Sequence, residues 1–308
     1  MIELQQKLLG DRRRNDAFYR ALTKAITPGV STVTDIGSGT GFLSFLARQL
    51  GARHCNLYEA DEAILELSKN LARENKIEGL TFIQGYSDEI KNPQKTNIVV
   101  SETLGNFAYD EHIIEIMNDA HRFLISGGTM IPYRIEQFVA PVIAPRIYKE
   151  LTVWDNIGYK LSWNIARKSA LNNMYVYAIS PRDVLAEPKS VDDCMLATKP
   201  SSTRRGRAEW KMKETTTVYG FALWWTAHLS KDVMFSTSPL NSSDGSGQKK
   251  SHWEQIYLPL ERPLILAEKE KLLLEFESDT RYSTGVQVKW TTQSAREKQV
   301  MDTSKGMK

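Results

Sequence analysis

Two glutamates, Glu102 and Glu111, flank Gly105 directly after an apolar run that ends in Ser101. A chain that turns back at the glycine brings both carboxylates to one small cavity. Paired carboxylates can share a proton as an acid–base pair. They can also clamp a planar cation through bidentate hydrogen bonds. The plainer alternative is one acid at a strand end and another, Glu111, at a helix N-terminus. Upstream, VTDIGSGTG places Gly37, Gly39 and Gly41 between an apolar run and an amphipathic one. Glycines there let the backbone turn sharply and come close to a ligand. Their spacing is one residue tighter than the dinucleotide fingerprint GxGxxG, so no pyrophosphate subsite is called for. Asp35 is placed to brace the turn. Glu59 ends the next apolar run, where a carboxylate can accept both hydroxyls of a ribose. Together these residues favour S-adenosylmethionine over NAD, with S-adenosylhomocysteine as product. Asp88, with Ser87 beside it, is placed to accept from an adenine amino group, although an N-cap of the next turn serves equally for Asp88. Arg14, on an N-terminal helix, can fold over the cofactor and offer its guanidinium to a carboxylate.

These residues need a scaffold of strands and helices. The pattern predicts an amphipathic helix through Leu8, Phe18 and Leu22, then strands at 32–36, 54–59, 80–84 and 97–102. Helices at 42–50, 62–75 and 112–124 separate them. Strands alternating with helices imply a parallel sheet covered on both faces, with ligands at the carboxyl ends of its strands. After Gly127–Gly128 and Pro132 the texture changes to short alternating runs at 137–142, 216–227, 253–258, 271–277 and 285–291. That predicts a mostly antiparallel β-domain. The expected division is 1–131 for the N-terminal helix and cofactor domain, 132–294 for the β-domain, and 295–308 for a frayed polar tail. Residues 154–188 are expected to project as a helical or irregular insertion, and 241–250 to form a polar glycine-rich loop.

The 308 residues suffice for two packed units. With 41% apolar and 25% charged residues the composition is that of a globular protein. No apolar run approaches the ~20 residues of a membrane helix, and no secretory signal opens the chain. Cys55 and Cys194 are too few and too far apart for a disulfide framework or a zinc site, which points to a reducing, cytoplasmic setting. A net charge of +3 is no nucleic-acid footprint. Nucleic-acid and membrane partners are therefore not expected, nor a metal.

The chain resembles the protein arginine methyltransferases, as a divergent, bacterial-type member. DIGSGTG, the Ser101-Glu102 to Glu111 spacing, FSTSP at 235–239 and Ser251-His252-Trp253 match that family's motifs in order. Asp11, Arg14, Phe18 and Ala21 match its N-terminal helix. The likeness runs from about Leu8 to Thr291. It implies a Rossmann-like domain joined to a β-barrel, with the 154–188 segment as an arm that makes a head-to-tail homodimer, and a cis proline at Pro132. By that likeness Glu102 and Glu111 orient an acceptor guanidinium and His252 pairs with Asp11 to take its proton. Asp35, Glu59, Asp88 and Arg14 fall where the family binds the cofactor, and Trp253, Asn106 and Leu8 fall beside the acceptor.

Departures from the family pattern cluster on the acceptor side. Thr103, Leu104 and Asn106 stand where tryptophan, methionine and tyrosine are usual, Asn97 replaces an aspartate and Ser251 a threonine. The tyrosine–phenylalanine segment that begins the family's N-terminal helix is not present in this sequence. Arginine in a protein or peptide and a free small guanidine are both expected acceptors. The alternatives are a small-molecule amine or hydroxyl acceptor, and a non-catalytic dimer that keeps the fold for binding. The run Arg204-Arg205-Gly206-Arg207 itself looks like a substrate, although an exposed hairpin loop accounts for it.

Overall fold

The computed structural model describes residues 2–243, 251–282 and 285–305. Two helices open the chain, α1 (Ile2–Gly10) and α2 (Arg12–Ala25), where the pattern predicts one. The break falls at Asp11, whose extended backbone lets its carboxylate accept from the Arg14 amide at 3.1 Å. An N-cap of this kind satisfies a donor that a helix start would leave orphaned. Ala17, Phe18, Ala21 and Leu22 bury one face of α2, whereas α1 buries none of its residues.

The next strands and helices follow the predicted order: β1 (Thr32–Ile36), α3 (Phe42–Gln49), β2 (His54–Glu59), α4 (Glu62–Glu74), β3 (Leu80–Gln84), β4 (Thr96–Ser101) and α5 (Ile113–Ala120). A fifth strand, β5 (Leu124–Ile131), joins them beyond the prediction. All pairs are parallel, in the order β3-β2-β1-β4-β5. The chain winds outward from β1 on one side and from β4 on the other, so the crevice lies past the carboxyl ends of these two neighbours. Between β1 and α3, Gly41 holds φ +81°, and a Cβ there would meet the Ser68 hydroxyl and come within 2.8 Å of the Phe45 ring. Gly41→Ala should therefore cost roughly 2 kcal/mol in chemical denaturation, from left-handed strain plus overlap. A stability within 0.5 kcal/mol of the parent would contradict this packing role.

The Ile131–Pro132 peptide is cis. Beyond it come β6 (Arg134–Val142), α6 (Pro145–Leu151), α7 (Asn164–Leu171), β7 (Tyr175–Tyr177), β8 (Lys189–Cys194), β9 (Thr203–Lys211), β10 (Thr216–Ser230), β11 (Val233–Ser236), β12 (Gln255–Leu266), β13 (Lys271–Asp279), β14 (Gln287–Gln293) and β15 (Lys298–Asp302). They form two antiparallel sheets, β7-β12-β10-β6-β8 with β11 on β10, and β15-β14-β13-β9. Trp225, Trp290 and Phe221 fill the apolar layer that both sheets share with the parallel one.

Three expectations need correction. The segment after 294 is no frayed tail up to residue 305: β15 pairs with β14 and turns Gln299 and Met301 inward while Lys298 and Val300 face out. The 154–188 insertion is helical only in part; it returns to the sheet as β7, paired with β12. Arg204–Arg207 is not a hairpin loop but lies within β9, paired along its length with β13. Most of the predicted 241–250 loop lies outside the described residues. Among those described, no helix is long and apolar enough to cross a membrane.

Candidate active site

β4 delivers Glu102 to the crevice, and the Ser101 hydroxyl donates to the Ile36 carbonyl at 2.8 Å, tying the β4 end to the β1 end. The chain then reverses through a bridge between Gly105 and Ala108. Side chains of the β-domain hold this hairpin by its backbone. Trp253 Nε1 donates to the Leu104 carbonyl at 2.7 Å, Trp225 Nε1 to Gly105 at 3.1 Å and Gln137 Nε2 to Phe107 at 3.0 Å. Asn106 Oδ1 accepts from the Glu254 amide at 2.8 Å. Glu102 and Glu111 accordingly line one cavity of about 340 Å³, together with Leu8, Arg14, Asn106, His252 and Trp253. A larger cavity of about 950 Å³, between α2 and the β-domain, contains none of these residues.

Charge in the cavity is unevenly settled. Arg14 Nε donates to Glu102 Oε2 at 2.7 Å and a second guanidinium nitrogen pairs with the same oxygen. The sequence places Arg14 toward the cofactor; in the structure its guanidinium rests on Glu102. Glu111 stands at the open rim, where solvent partly screens it. Desolvation by the surrounding protein, then the charges of Glu102 and Asp110, nevertheless push its carboxyl up to about 7. The two carboxylates thus differ: Glu102 is ion-paired with Arg14, whereas burial and neighbouring charge raise the Glu111 carboxyl.

His252 and Asp11 meet as the sequence predicts. The Asp11 Oδ2 atom takes His252 Nδ1 at 2.9 Å, the His252 amide at 3.0 Å and the Ser251 hydroxyl at 2.8 Å. Burial alone would raise the Asp11 pKa, yet these bonds and the Arg14 amide hold it well below the carboxylate range. With Nδ1 bound to Asp11, Nε2 is the ring nitrogen left for proton exchange. Ser251 in place of threonine keeps the hydroxyl that makes this contact.

On the cofactor side, Asp35, Gly37, Gly39 and Glu59 line the cavity. Glu59 Oε2 accepts from the Gly39 amide at 2.8 Å and Oε1 from the Asp61 amide at 2.9 Å, so the carboxylate is oriented with lone pairs to spare. Asp35 is buried beneath the turn and braced by the Ser44 hydroxyl at 2.8 Å; burial raises its carboxyl to about 7. The Ser38 hydroxyl, buried in the lining, has no hydrogen-bond partner among the described residues, as expected of a wall built to meet a polar ligand.

Some predicted cofactor residues stand elsewhere. Gly41 faces Phe45 and Ser68, outside the lining, because its role is to start α3. Ser87 and Asp88 follow β3 and do not line the cavity; the Ser87 carbonyl instead accepts from Arg122. Conversely, Gln5 was not singled out, and its amide lies 3.2 Å from where a Cβ on Gly39 would sit. Its spacing of three from Leu8 on α1 was the available signal, since residues three or four apart share a helix face.

A family model described as the PRMT5 oligomerisation domain matches residues 134–306, more than half of the chain. This chain belongs to the protein arginine methyltransferase family. A methyltransferase domain model matches residues 30–177. Among curated relatives of this family, the histone-arginine methyltransferase CARMER of Drosophila yakuba is 26% identical over 309 aligned positions, covering 92% of this chain and 56% of the relative. The chain spans about half the length of the curated relatives it matches. Among solved structures of the family, the Trypanosoma brucei PRMT1 enzyme–prozyme heterotetrameric complex with AdoHcy superposes with a TM-score of 0.84 at 18% identity, covering 97% of each chain. Arabidopsis thaliana protein arginine methyltransferase 10 superposes at 0.78 with 20% identity, covering 98% of each chain. The parallel sheet followed by antiparallel sheets is the family's fold.

Proposed function

We propose that this chain is an S-adenosylmethionine-dependent N-methyltransferase acting on a guanidino group. The observation that carries the reading is the convergence, in one cavity, of two carboxylates on a braced hairpin, a histidine held by Asp11 from behind the lining, and a glycine turn with an oriented glutamate. When bound, the cofactor supplies an activated methyl group; Gly37, Gly39, Glu59 and Arg14 would hold it, with Ser38 offering an unpaired hydroxyl. A guanidinium keeps its proton at any physiological pH, so removing it before reaction is a poor route. Glu102 and Glu111 instead grip two of its nitrogens and draw charge towards them, leaving the third to react. Holding that nitrogen in place converts the transfer into an oriented, effectively unimolecular step. The two carboxylates stabilise the charge while it redistributes. His252, fixed by Asp11, takes the proton released afterwards.

Two kinds of guanidine fit the acceptor side. Thr103 and Asn106 make the wall of the small cavity less bulky and more polar than tryptophan and tyrosine would, which suits free arginine or another small guanidine as well as an arginine side chain. Incubation with labelled cofactor and, separately, free arginine, an arginine-containing peptide and spermidine decides between them by product mass. Label on a guanidine is expected. Label on spermidine alone, or on none, overturns the guanidino reading; label on the peptide alone removes the small-molecule acceptor.

We also propose a homodimer through the segment around α7. Tyr159, Leu161 and Ile165 are 88%, 63% and 85% exposed there, and such apolar surface favours a partner. The matching oligomerisation-domain family supports this. Sedimentation at micromolar concentration should give twice the chain mass, and a lone monomer would refute it.

A further inference from the structure

We infer that Asp192, gripped by Arg204, is a positioning residue for Glu111 and acts on it through Tyr109. The inference rests on the guanidino reading above and extends it to the β-domain. Tyr109 lies two positions before Glu111 on the hairpin, but its side chain turns away from the cavity and is fully buried. Its hydroxyl donates to Asp192 Oδ2 at 2.7 Å. Asp192, on β8, is held in turn by Arg204 of β9: Nε lies 2.9 and 3.1 Å from the two carboxylate oxygens, and Nη2 lies 2.6 Å from Oδ1. A second bond from Nη2, at 2.9 Å to the Asp193 carbonyl, fixes the plane of the guanidinium.

The geometry is particular. β8 and β9 belong to different sheets, so the strut joins both antiparallel sheets to the hairpin. β9 comes this close because residue 206 is glycine: any Cβ there would run into the Val191 carbonyl of β8. Such an arrangement is an expensive way to gain stability. A phenylalanine would fill the ring's place at position 109, and a buried ion pair costs several kcal/mol per charge in desolvation, so apolar replacements are often as stable or more so. What the polar strut adds is direction. A hydroxyl bonded to a carboxylate that a forked guanidinium holds in plane fixes where the Tyr109 ring sits, and with it the backbone that aims Glu111.

Tyr109→Phe removes only the hydroxyl and leaves the ring packing. The expected result is a loss of about tenfold or more in kcat/KM for the acceptor, since small misplacements of an orienting group are costly. Cofactor affinity should stay unchanged. Backbone amides at 103–110 should exchange hydrogen faster, and the pH midpoint assigned to Glu111 should move. In the Tyr109→Phe background, Asp192→Asn should add little, because both changes break one strut. Arg204→Lys, which keeps the charge and breaks the fork, should reproduce the effect without touching the hairpin. Parent-like acceptor kinetics and exchange in Tyr109→Phe overturn the assignment. So does a loss of cofactor binding, since the strut would then support the whole fold. If the parent protein methylates no guanidine, the proposed function fails, while hydrogen exchange still decides whether the strut holds the hairpin.

Discussion

Glu102→Gln is expected to lower methyl transfer by roughly 10²–10³-fold while the protein still binds its cofactor, because a preorganised charge facing a developing charge carries effects of that size. Glutamine keeps the side-chain length and can still accept from Arg14, so the fold around the buried Arg14–Glu102 contact should survive. What disappears is the negative charge that draws on the acceptor guanidinium. Calorimetric titration with cofactor, set beside single-turnover rates at saturating acceptor, separates the two effects. Unchanged turnover would sink the clamp. Loss of cofactor binding would place Glu102 in the service of Arg14 instead.

The second large effect concerns pH. Glu111 carries a carboxyl raised to about 7 from an ordinary value of 4.5. Only its ionised form can clamp a cation. Acceptor kcat/KM should therefore climb as pH rises through about 7 and level off above it, and Glu111→Gln should lose both the activity and that limb of the profile. Stability runs the other way. A group whose pKa is raised on folding stabilises the fold fully below its unfolded pKa, and that contribution disappears as pH rises through the folded value. Glu111→Gln should thus melt close to the parent at pH 4 and higher than the parent at pH 8. Solvent at the cavity rim limits the gain to a few degrees at most. A parent profile flat between pH 6 and 8 would refute the assignment.

The cofactor half was the more legible part of the sequence, and the reason is local. β1, β2 and the helices between them carry their periodicity and turn chemistry within a few residues, so VTDIGSGTG and Glu59 announce themselves. β8 and β9 were missed because KSVDDC and TRRGRAEWK look like solvated loops. Arg204 is spent inside the fold on Asp192 instead, whereas Arg205 pairs with Glu277 at the surface, and only Ala208 and Trp210 betray the alternation. The break at Asp11 was invisible for a different cause: it rests on a cap, the Asp11 carboxylate on the Arg14 amide, that no hydrophobic period announces. Likewise the four anchors of the acceptor hairpin come from residues that no spacing rule links to it. Which residues carry charge could be read from the chain; what aims them required the fold.

The double duty of Asp11 bears on how this protein can change over generations. One carboxylate restarts the helix that carries Arg14, and the same carboxylate holds His252, so the helix over the cavity and the proposed proton acceptor are inherited as a single trait. A lineage cannot retune one without disturbing the other. Variation at this corner should be confined to pairs of changes, at position 11 and in the 251–252 loop together, with drift free only at the exposed start of α1, at Ile2 and Glu3, which lie outside the cavity lining.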